Sequence, residues 1–238
     1  MIELRDITLN AGDRTLLADV SVSLERGRLC ALVGRNGAGK STLLRCLCGL
    51  NKPASGQICI DGNPIGEMSP RQMAMTVAYV NTERIRVASL TCRDVVAMGR
   101  APYTNWIGRM QPADKESVNE ALATVGMSRF AGRTLSTMSD GECQRVMIAR
   151  AIAQDTPVIL LDEPTSFLDM PGRYELAGLL RQLTVESGKT ILFSTHELDI
   201  ASRMTDDMWI IDSPDIISLP SPDFVVRGYA EKIFGITL

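Results

Sequence analysis

Residues 34–41 read Gly34-Arg35-Asn36-Gly37-Ala38-Gly39-Lys40-Ser41. The run follows an apolar stretch at 29–33 and precedes a helix-like stretch at 42–50, which is the order strand, glycine loop, helix. Glycines let backbone amides converge on an anion without clashes of Cβ atoms, and the N-terminus of the following helix adds a partial positive charge. The stretch therefore predicts a loop that binds phosphate groups.

The residues expected to bind phosphate lie in this loop or in the first turn of its helix. They are Gly34, Asn36, Gly37, Ala38, Gly39, Lys40, Ser41 and Thr42. Lys40 can reach terminal phosphates, and the hydroxyl of Ser41 can bind Mg²⁺. A glycine-rich turn that matches the pattern by chance is the alternative, and the flanking strand and helix argue against it.

Length and composition describe an ordinary globular protein. The 238 residues suffice for one large domain or two small lobes, and the formal net charge of -3 gives no support for nucleic-acid binding as the main task. The chain has one histidine and six cysteines without a Cys-x-x-Cys pair, which argues against a zinc site and fits a reducing cytoplasm. No apolar stretch approaches the ~20 residues needed to span a bilayer. A function at a membrane would therefore require docking on a partner.

Hydrophobic periodicity predicts an α/β fold with a helical insertion. Strands are predicted at 2–9, 19–24, 28–33, 56–61, 77–80, 158–161, 190–194 and 208–211, and helices at 42–50, 93–100, 113–125, 141–154 and 173–186. The mostly helical pattern from about 91 to 155 separates the early strands from the later ones. We therefore expect one domain, 1–238, with a core lobe at about 1–84 and 157–238 and a helical lobe at about 85–156.

Two carboxylates follow the apolar strand at 158–161. Asp162 and Glu163 should lie at the carboxyl edge of a parallel sheet, where ligands gather and where the phosphate loop also begins. We expect Asp162 to bind Mg²⁺, directly or through water, and Glu163 to act as general base toward an attacking water. The alternative is a buried strand that ends in two solvated acids.

The single histidine has a similar position. His196 follows the apolar strand at 190–194 and belongs to the same edge, where it could contact a terminal phosphate and orient the water. A lone histidine is more often structural or merely solvated. Its place beside the other residues of this edge favours the catalytic interpretation.

A capping box begins the helix at 141–154. The hydroxyl of Ser139 is expected to cap this helix, while Glu142 reaches back to the cap residue. Ser139, the amide of Gly141 and the helix N-terminus are also anion donors without an obvious ligand in their own subunit.

Five motifs, taken in order, resemble those of the nucleotide-binding subunits of ABC transporters, over nearly the whole chain. They are the phosphate loop, Met138–Glu142, Leu160–Pro164, Ser166–Asp169 and Ser194–His196. The second corresponds to the family signature Leu-Ser-Gly-Gly-Gln, the fourth looks like the D-loop, and the fifth contains the switch histidine. The resemblance implies a P-loop NTPase core with a mainly parallel sheet, an N-terminal antiparallel β subdomain and an inserted helical subdomain.

The resemblance also implies a mechanism. In this family two copies pair head to tail, and the signature of one copy covers the ATP held by the phosphate loop of the other. Ser139, Gly141, Glu142 and Asp169 would then contact nucleotide, with ATP and Mg²⁺ as the ligands. ATP binding closes the dimer, hydrolysis opens it, and these movements drive an integral-membrane permease. The implied protein is an ATP hydrolase, peripheral to the cytoplasmic face of the inner (plasma) membrane.

A narrower resemblance concerns the transported solute. Residues 96–108 and 196–199 look like stretches of the ATPases that serve importers of ferric siderophores, haem and cobalamin. This implies import of a metal chelate, a separate substrate-binding protein and no nucleic acid as partner. Trp106 and Ile107 are candidates to dock a helix of the permease, and the alternative is that they pack inside the helical lobe.

Other ATPases share these motifs and remain alternatives. A DNA-repair or chromosome-maintenance ATPase usually inserts long coiled coils, whereas this sequence has no sustained heptad run. A translation-associated ATPase typically has two ATPase units in one chain, whereas this chain has one of each motif. A phosphotransferase is a weaker alternative, because the signature helix and Glu163 favour water as the acceptor.

Two positions depart from the family pattern. Ala11 stands where most such subunits carry an aromatic residue that stacks on adenine, so adenine stacking is expected to be weak or supplied otherwise. Thr82 falls where a glutamine usually binds Mg²⁺, and Glu83 lies beside it. We expect one of these two to provide the metal contact, and the sequence leaves the choice between them open.

Overall fold

Strands and helices alternate along the chain in the computed structural model, which describes residues 1–82, 89–104 and 108–236. The strands are β1 (Ile2–Ala11), β2 (Arg14–Leu24), β3 (Leu29–Gly34), β4 (Ser55–Ile60), β5 (Asn63–Pro64), β6 (Val77–Val80), β7 (Val158–Leu161), β8 (Thr190–Ser194), β9 (Asp207–Asp212) and β10 (Asp215–Pro220). The helices are α1 (Lys40–Leu47), α2 (Pro70–Thr76), α3 (Cys92–Ala97), α4 (Pro112–Thr124), α5 (Asp140–Ala153), α6 (Met170–Ser187), α7 (Leu198–Met204) and α8 (Ser221–Val226).

A mainly parallel sheet forms the centre of the molecule, in the order β10-β9-β3-β8-β7-β6. Its strands are parallel except for β10, which pairs antiparallel with β9. Because β3, β7 and β8 are buried along their whole length, they read as unbroken apolar runs rather than as alternating ones. The parallel order brings the carboxyl ends of these three strands to one edge, where ligand-binding loops collect.

Alternate residues of β3 face opposite sides of this sheet. Ala31 and Val33 belong to the apolar layer that contains α3, α4 and α5, whereas Cys30 and Leu32 belong to the layer that contains α1 and the N-terminal strands. The two-residue period of a strand thus divides the interior into two layers. The strand ends that carry the polar residues are held between them.

The N-terminal part of the chain forms a second, antiparallel sheet of order β2-β1-β4-β5. β1 and β2 form a hairpin whose last pair is Ala11 opposite Arg14, so β2 begins at Arg14 rather than at the predicted residue 19. The sequence hides this start because Leu16 and Leu17 are both buried, which breaks the alternation expected of a strand. The two sheets confirm the predicted α/β class with its N-terminal antiparallel subdomain.

Helices α3, α4 and α5 pack on one another in the segment between β6 and β7. A buried ion pair fixes this packing: the Nε of Arg100 donates to Asp114 Oδ1 at 2.9 Å, and its Nη1 donates to the carbonyl of Ala153 at 2.8 Å. The helix predicted at 93–100 ends at Ala97 and continues as a 3₁₀ turn that contains Pro102. The division of the chain into a core lobe and a helical lobe stays a prediction.

Periodicity does not reveal the short helices α2 and α7. α2 has no buried residue and therefore no apolar stripe; its signal in the sequence is a capping box formed by Ser69 and Gln72, with Pro70 in the first turn. α7 is only seven residues long and follows His196 closely. In the part of the chain that the structure describes, no helix is long and apolar enough to cross a membrane.

Candidate functional site

The glycine loop joins the end of β3 to the start of α1. Gly37 and Gly39 have φ angles of 75° and 109°, in the left-handed region that favours glycine. A Cβ on Gly39 would lie 3.1 Å from the Cδ1 of Leu16, so the loop packs directly against the N-terminal hairpin. A side chain at Gly39 would therefore require Leu16 to shift and would be strained at this φ angle.

Lys40 is the first residue of α1, and its side chain is folded back into the loop. The ammonium Nζ donates to the carbonyl of Gly34 at 2.8 Å, and the residue is only 6% exposed. Burial lowers the pKa of Lys40, and the nearby carboxylates of Glu163 and Asp162 oppose this shift. A buried cation inside a ring of backbone groups is suited to a polyanion such as a triphosphate.

A cavity of about 450 Å³ opens over the loop. It is lined by residues 36–42, which include nearly all the predicted phosphate-binding residues, by Ala11, Arg14 and Leu16 of the hairpin, and by Glu163. This volume lies within the range of small-molecule sites. The predicted base and the predicted phosphate-binding residues therefore share one cavity.

Asp162 and Glu163 follow β7 and are held by a residue of the neighbouring strand. The Oγ of Ser194 donates to Asp162 Oδ1 at 2.6 Å and accepts the backbone N–H of Glu163 at 2.8 Å. Asp162 is 2% exposed, and its own N–H donates to the carbonyl of Val80 at 2.8 Å. Ser194 therefore positions both acids, a role that the sequence signals only by a polar residue at the end of an apolar strand.

Glu163 and His196 are in direct contact. The Oε2 of Glu163 lies 2.9 Å from the Nε2 of His196, and the two side chains are 25% and 52% exposed. Glu163 adopts a φ of 49°, which is uncommon for a residue with a Cβ, and the Oγ of Ser166 donates to its carbonyl at 2.8 Å. The two side chains are thus joined by a direct contact, and the catalytic roles of both residues stay predictions.

The predicted metal ligands offer oxygen atoms. Ser41 is partly exposed in the cavity wall, and Asp162 follows β7 at the carboxyl ends of the parallel strands, where β3 also ends. Thr82 is partly exposed and lies two residues beyond Val80, whose carbonyl accepts the N–H of Asp162, whereas Glu83 lies outside the described residues. Within the described ranges no three His, Cys, Asp or Glu residues cluster as a metal site. Mg²⁺ fits such a donor set, because it commonly takes one or two carboxylates together with substrate phosphates.

The predicted signature caps helix α5 and lies outside this cavity. The Oγ of Ser139 accepts the N–H of Glu142 at 3.2 Å, and the carboxylate of Glu142 accepts the N–H of Ser139 at 2.8 Å. This backbone hydrogen bond holds the pKa of Glu142 below its usual range. A Cβ on Gly141 would lie 3.1 Å from the Cδ2 of Leu168, so the signature packs on the 166–169 loop of its own subunit.

Arg173 links the 166–169 loop to Glu197, the residue after His196. Asp169 caps α6 by accepting the N–H of Gly172 at 3.1 Å. The Nε of Arg173 donates to the carbonyl of Leu168 at 2.9 Å, and its Nη1 lies 2.8 Å from Glu197 Oε1. Sequence reasoning misses Arg173, because nothing in the helix pattern shows that it spans from one loop to another.

Comparison with known proteins gives consistent matches. The sequence model described as "ABC transporter" matches residues 17–166. The achromobactin transport ATP-binding protein of Dickeya dadantii is 38% identical, with 98% of this chain and 87% of the relative covered. The ferric enterobactin transport ATP-binding protein of Escherichia coli is 32% identical over 97% of this chain and 85% of the relative. An ATP-binding cassette solved as a post-hydrolysis dimer with ADP and Pi is 25% identical, has a TM-score of 0.81, and is matched over 93% of this chain and 99% of its own.

Proposed function

The chain belongs to the ABC transporter family, and from this premise we propose that it is the ATP-hydrolysing subunit of an importer for metal chelates. The predicted family resemblance and the prediction of an ATPase are confirmed at the level of the family. The observation that supports the proposal is the cavity in which the glycine loop, Lys40 and Glu163 come together. Glu163 also contacts His196, and the proposal assigns the catalytic role to this pair.

In the proposed mechanism each residue of the site has its own role in ATP hydrolysis. The loop amides and the ammonium of Lys40 bind the phosphates of ATP. Glu163 accepts a proton from water as the water oxygen bonds to the terminal phosphorus, while the bond from that phosphorus to the ADP oxygen breaks. His196 holds the carboxylate of Glu163 in place through its Nε2. Ser41 and Asp162 would hold Mg²⁺, which neutralises phosphate charge when bound.

The predicted partner at the cavity is a second copy of the chain. Ser139, Gly141 and Glu142 lie outside the cavity of their own subunit among the residues described. The N-terminus of α5, with Ser139 exposed at its start, suits an anion presented by another molecule. A related cassette forms a dimer, and we extend the head-to-tail pairing, with Asp169 at the contact, to this chain as part of the proposal.

The names of the relatives favour transport over DNA repair or translation. The relatives include proteins named for ferric enterobactin transport, iron(3+)-hydroxamate import and cobalamin import. The proposed cargo is therefore an iron–siderophore, haem or cobalamin. A permease, a separate substrate-binding protein and a peripheral position on the cytoplasmic face of the membrane complete the proposal.

A groove beside α2 is the proposed surface for the permease. It has a volume of about 520 Å³ and is lined by Leu50, Met73 and Met98 together with Arg150. Leu50 is 67% exposed and Met98 is 50% exposed, so two large apolar side chains of one groove are open to solvent. The two residues singled out in the sequence, Trp106 and Ile107, lie outside the described residues.

Isolation of the native complex tests this function. Membranes from the native host, solubilised gently and captured through a tag on this chain, should yield an integral-membrane permease. Leu50→Glu should lose the permease because it places a charge in the apolar groove, whereas Val185→Glu, at an exposed valine of α6, should retain it.

Uptake measurements with the intact cells identify the cargo. Cells that carry the wild-type chain should accumulate labelled ferric siderophore, haem or cobalamin, and cells that carry Glu163→Gln should not, since the base for hydrolysis is lost. Co-purification of DNA or ribosomes in place of a permease would contradict the proposal.

A further inference from the structure

The N-terminal hairpin places two residues over the glycine loop. Ala11 and Arg14 are the last cross-strand pair of β1 and β2, so their side chains are neighbours. Leu16, two residues further, lies against Gly39, and this contact fixes the hairpin end beside the loop. All three hairpin residues line the cavity that also contains Lys40.

The direction of a bound nucleotide follows from the other residues of the cavity. The terminal phosphate must lie toward Glu163, because that carboxylate has to reach the water that attacks it. The ribose and base must then extend away from Glu163. The remaining part of the lining is the hairpin end, with Ala11 and Arg14.

This part of the cavity contains no aromatic side chain among the described residues that line it. Ala11 contributes only one methyl group beside its cross-strand neighbour Arg14. The guanidinium of Arg14 is the one extended planar group of the hairpin end; Arg14 is exposed, and the structure shows no hydrogen bond or ion pair from this group to another described residue.

We infer that the guanidinium of Arg14 stacks on the base of the bound nucleotide, in the space that the small side chain of Ala11 leaves open. A guanidinium is planar and delocalised, is weakly hydrated, and stacks on aromatic faces. The inference rests on the proposed function, since it takes ATP as the ligand of this cavity. It gives the chain a base-binding residue that differs from an aromatic one in chemistry and in position.

An arginine in this place has a second possible contact, which is a phosphate. The two contacts differ in what they require of the side chain. Stacking requires a planar group and a base, whereas a phosphate contact requires only a positive charge. Substitutions that separate planarity from charge, combined with ligands with and without a base, therefore distinguish them.

The test measures binding of ATP and of inorganic tripolyphosphate to the purified chain by calorimetry. Arg14→Ala should weaken ATP binding about tenfold and leave tripolyphosphate binding unchanged. Arg14→Trp should retain ATP binding because it keeps a planar surface, and Arg14→Lys should weaken it although it keeps the charge. Arg26→Ala, at an exposed arginine outside the cavity, is the matched control and should bind both ligands as the wild type does.

The outcomes separate the inference from the proposed function. Equal ATP binding by wild type and Arg14→Ala overturns the inference alone. A second set of results also overturns it: Arg14→Lys keeps ATP binding, Arg14→Trp loses ATP binding, and Arg14→Ala binds tripolyphosphate more weakly. These results would assign Arg14 to a phosphate contact. Failure of the wild type to bind either ligand overturns the proposed function itself. Thermal unfolding of each variant identifies any loss of binding that comes from misfolding.

Discussion

Single residues set the geometry of the acidic edge, and Ser194 is the clearest case. Its hydroxyl is fully buried, donates to Asp162 and accepts from the backbone of Glu163. Both acids sit at the end of one strand, but their orientation depends on this residue of the next strand. A buried hydroxyl that satisfies two groups at once is costly to remove, because each partner loses a hydrogen bond away from water.

Ser194→Ala should therefore lower kcat for ATP hydrolysis about tenfold while KM for ATP changes little, since the phosphate loop is untouched. Stability should fall by about 1–3 kcal/mol, the cost of leaving buried polar groups unpaired. Steady-state kinetics and urea unfolding measure the two effects. Ser218→Ala, at an exposed serine of β10, is the control. A kcat equal to that of the wild type would show that the bridge does not position Glu163.

The sequence predicts some of these residues and not others for a physical reason. Asp162, Glu163 and His196 follow buried strands, and parallel strands end at one edge, so their meeting can be predicted. Ser194 and Arg173 act through partners that lie 5 to 32 residues away in the chain. Such contacts depend on the register between elements, which a periodic pattern does not record.

At the scale of elements, two loops are joined by one side chain. Arg173, in the first turn of α6, binds the carbonyl of Leu168 and the carboxylate of Glu197. Leu168 belongs to the loop that is proposed to contact the other subunit, and Glu197 follows His196. A change in the first loop on dimerisation would thus reach the histidine through a short, direct connection.

Burial raises the pKa of Glu197, and the guanidinium of Arg173 opposes this shift. The ion pair requires the ionised carboxylate. As pH falls toward the raised pKa of Glu197, the carboxyl group becomes protonated and the pair weakens, whereas at higher pH it is complete. The strength of the connection should therefore decline in mild acid.

A double-mutant cycle with Arg173→Ala and Glu197→Ala tests this connection. Each single change should lower kcat, and the double variant should lose less than the sum, with a coupling of about 0.5–3 kcal/mol. The coupling should shrink as the assay pH is lowered from about 8 to about 5. Arg145 and Glu175, a partly exposed ion pair that joins α5 to α6, provide the control cycle, which should leave kcat unchanged. Additive effects of Arg173 and Glu197 would contradict the connection.

At the scale of the whole molecule, the fold separates two halves of a predicted site. The phosphate loop lies at the edge of the parallel sheet, whereas the signature caps α5 and packs on the 166–169 loop. Apolar runs predict the strands of the parallel sheet and the resemblance implies the antiparallel subdomain, but neither gives the order in which the strands pair. The pairing of two molecules cannot be read from one chain in the same way, since no periodic pattern records which surfaces of two copies meet.

Mixing two inactive variants tests that pairing. Lys40→Ala removes the ammonium group that is proposed to bind phosphate. Ser139→Asp keeps a residue type that caps helices, but its carboxylate repels phosphate. If the signature of one copy completes the loop of the other, a mixed dimer contains one site with both changes and one intact site. Random pairing of equal amounts should then restore roughly a quarter of wild-type ATP hydrolysis, because half of the dimers are mixed and half of their sites are intact.

Activity of the mixture is informative only because each variant alone is inactive. Lys40→Ala dimers lack the lysine ammonium at both sites, and Ser139→Asp dimers repel phosphate at both sites. If the signature instead acted on its own subunit, every site in the mixture would carry one of the two changes, and the mixture would be as inactive as its components. Lys52→Ala mixed with Ser139→Asp is the control: Lys52 is an exposed lysine outside the nucleotide cavity, so these mixtures should show the higher activity expected from an intact partner. ATP turnover measured against the mixing ratio therefore decides whether the loop at 34–41 is one half of a shared site.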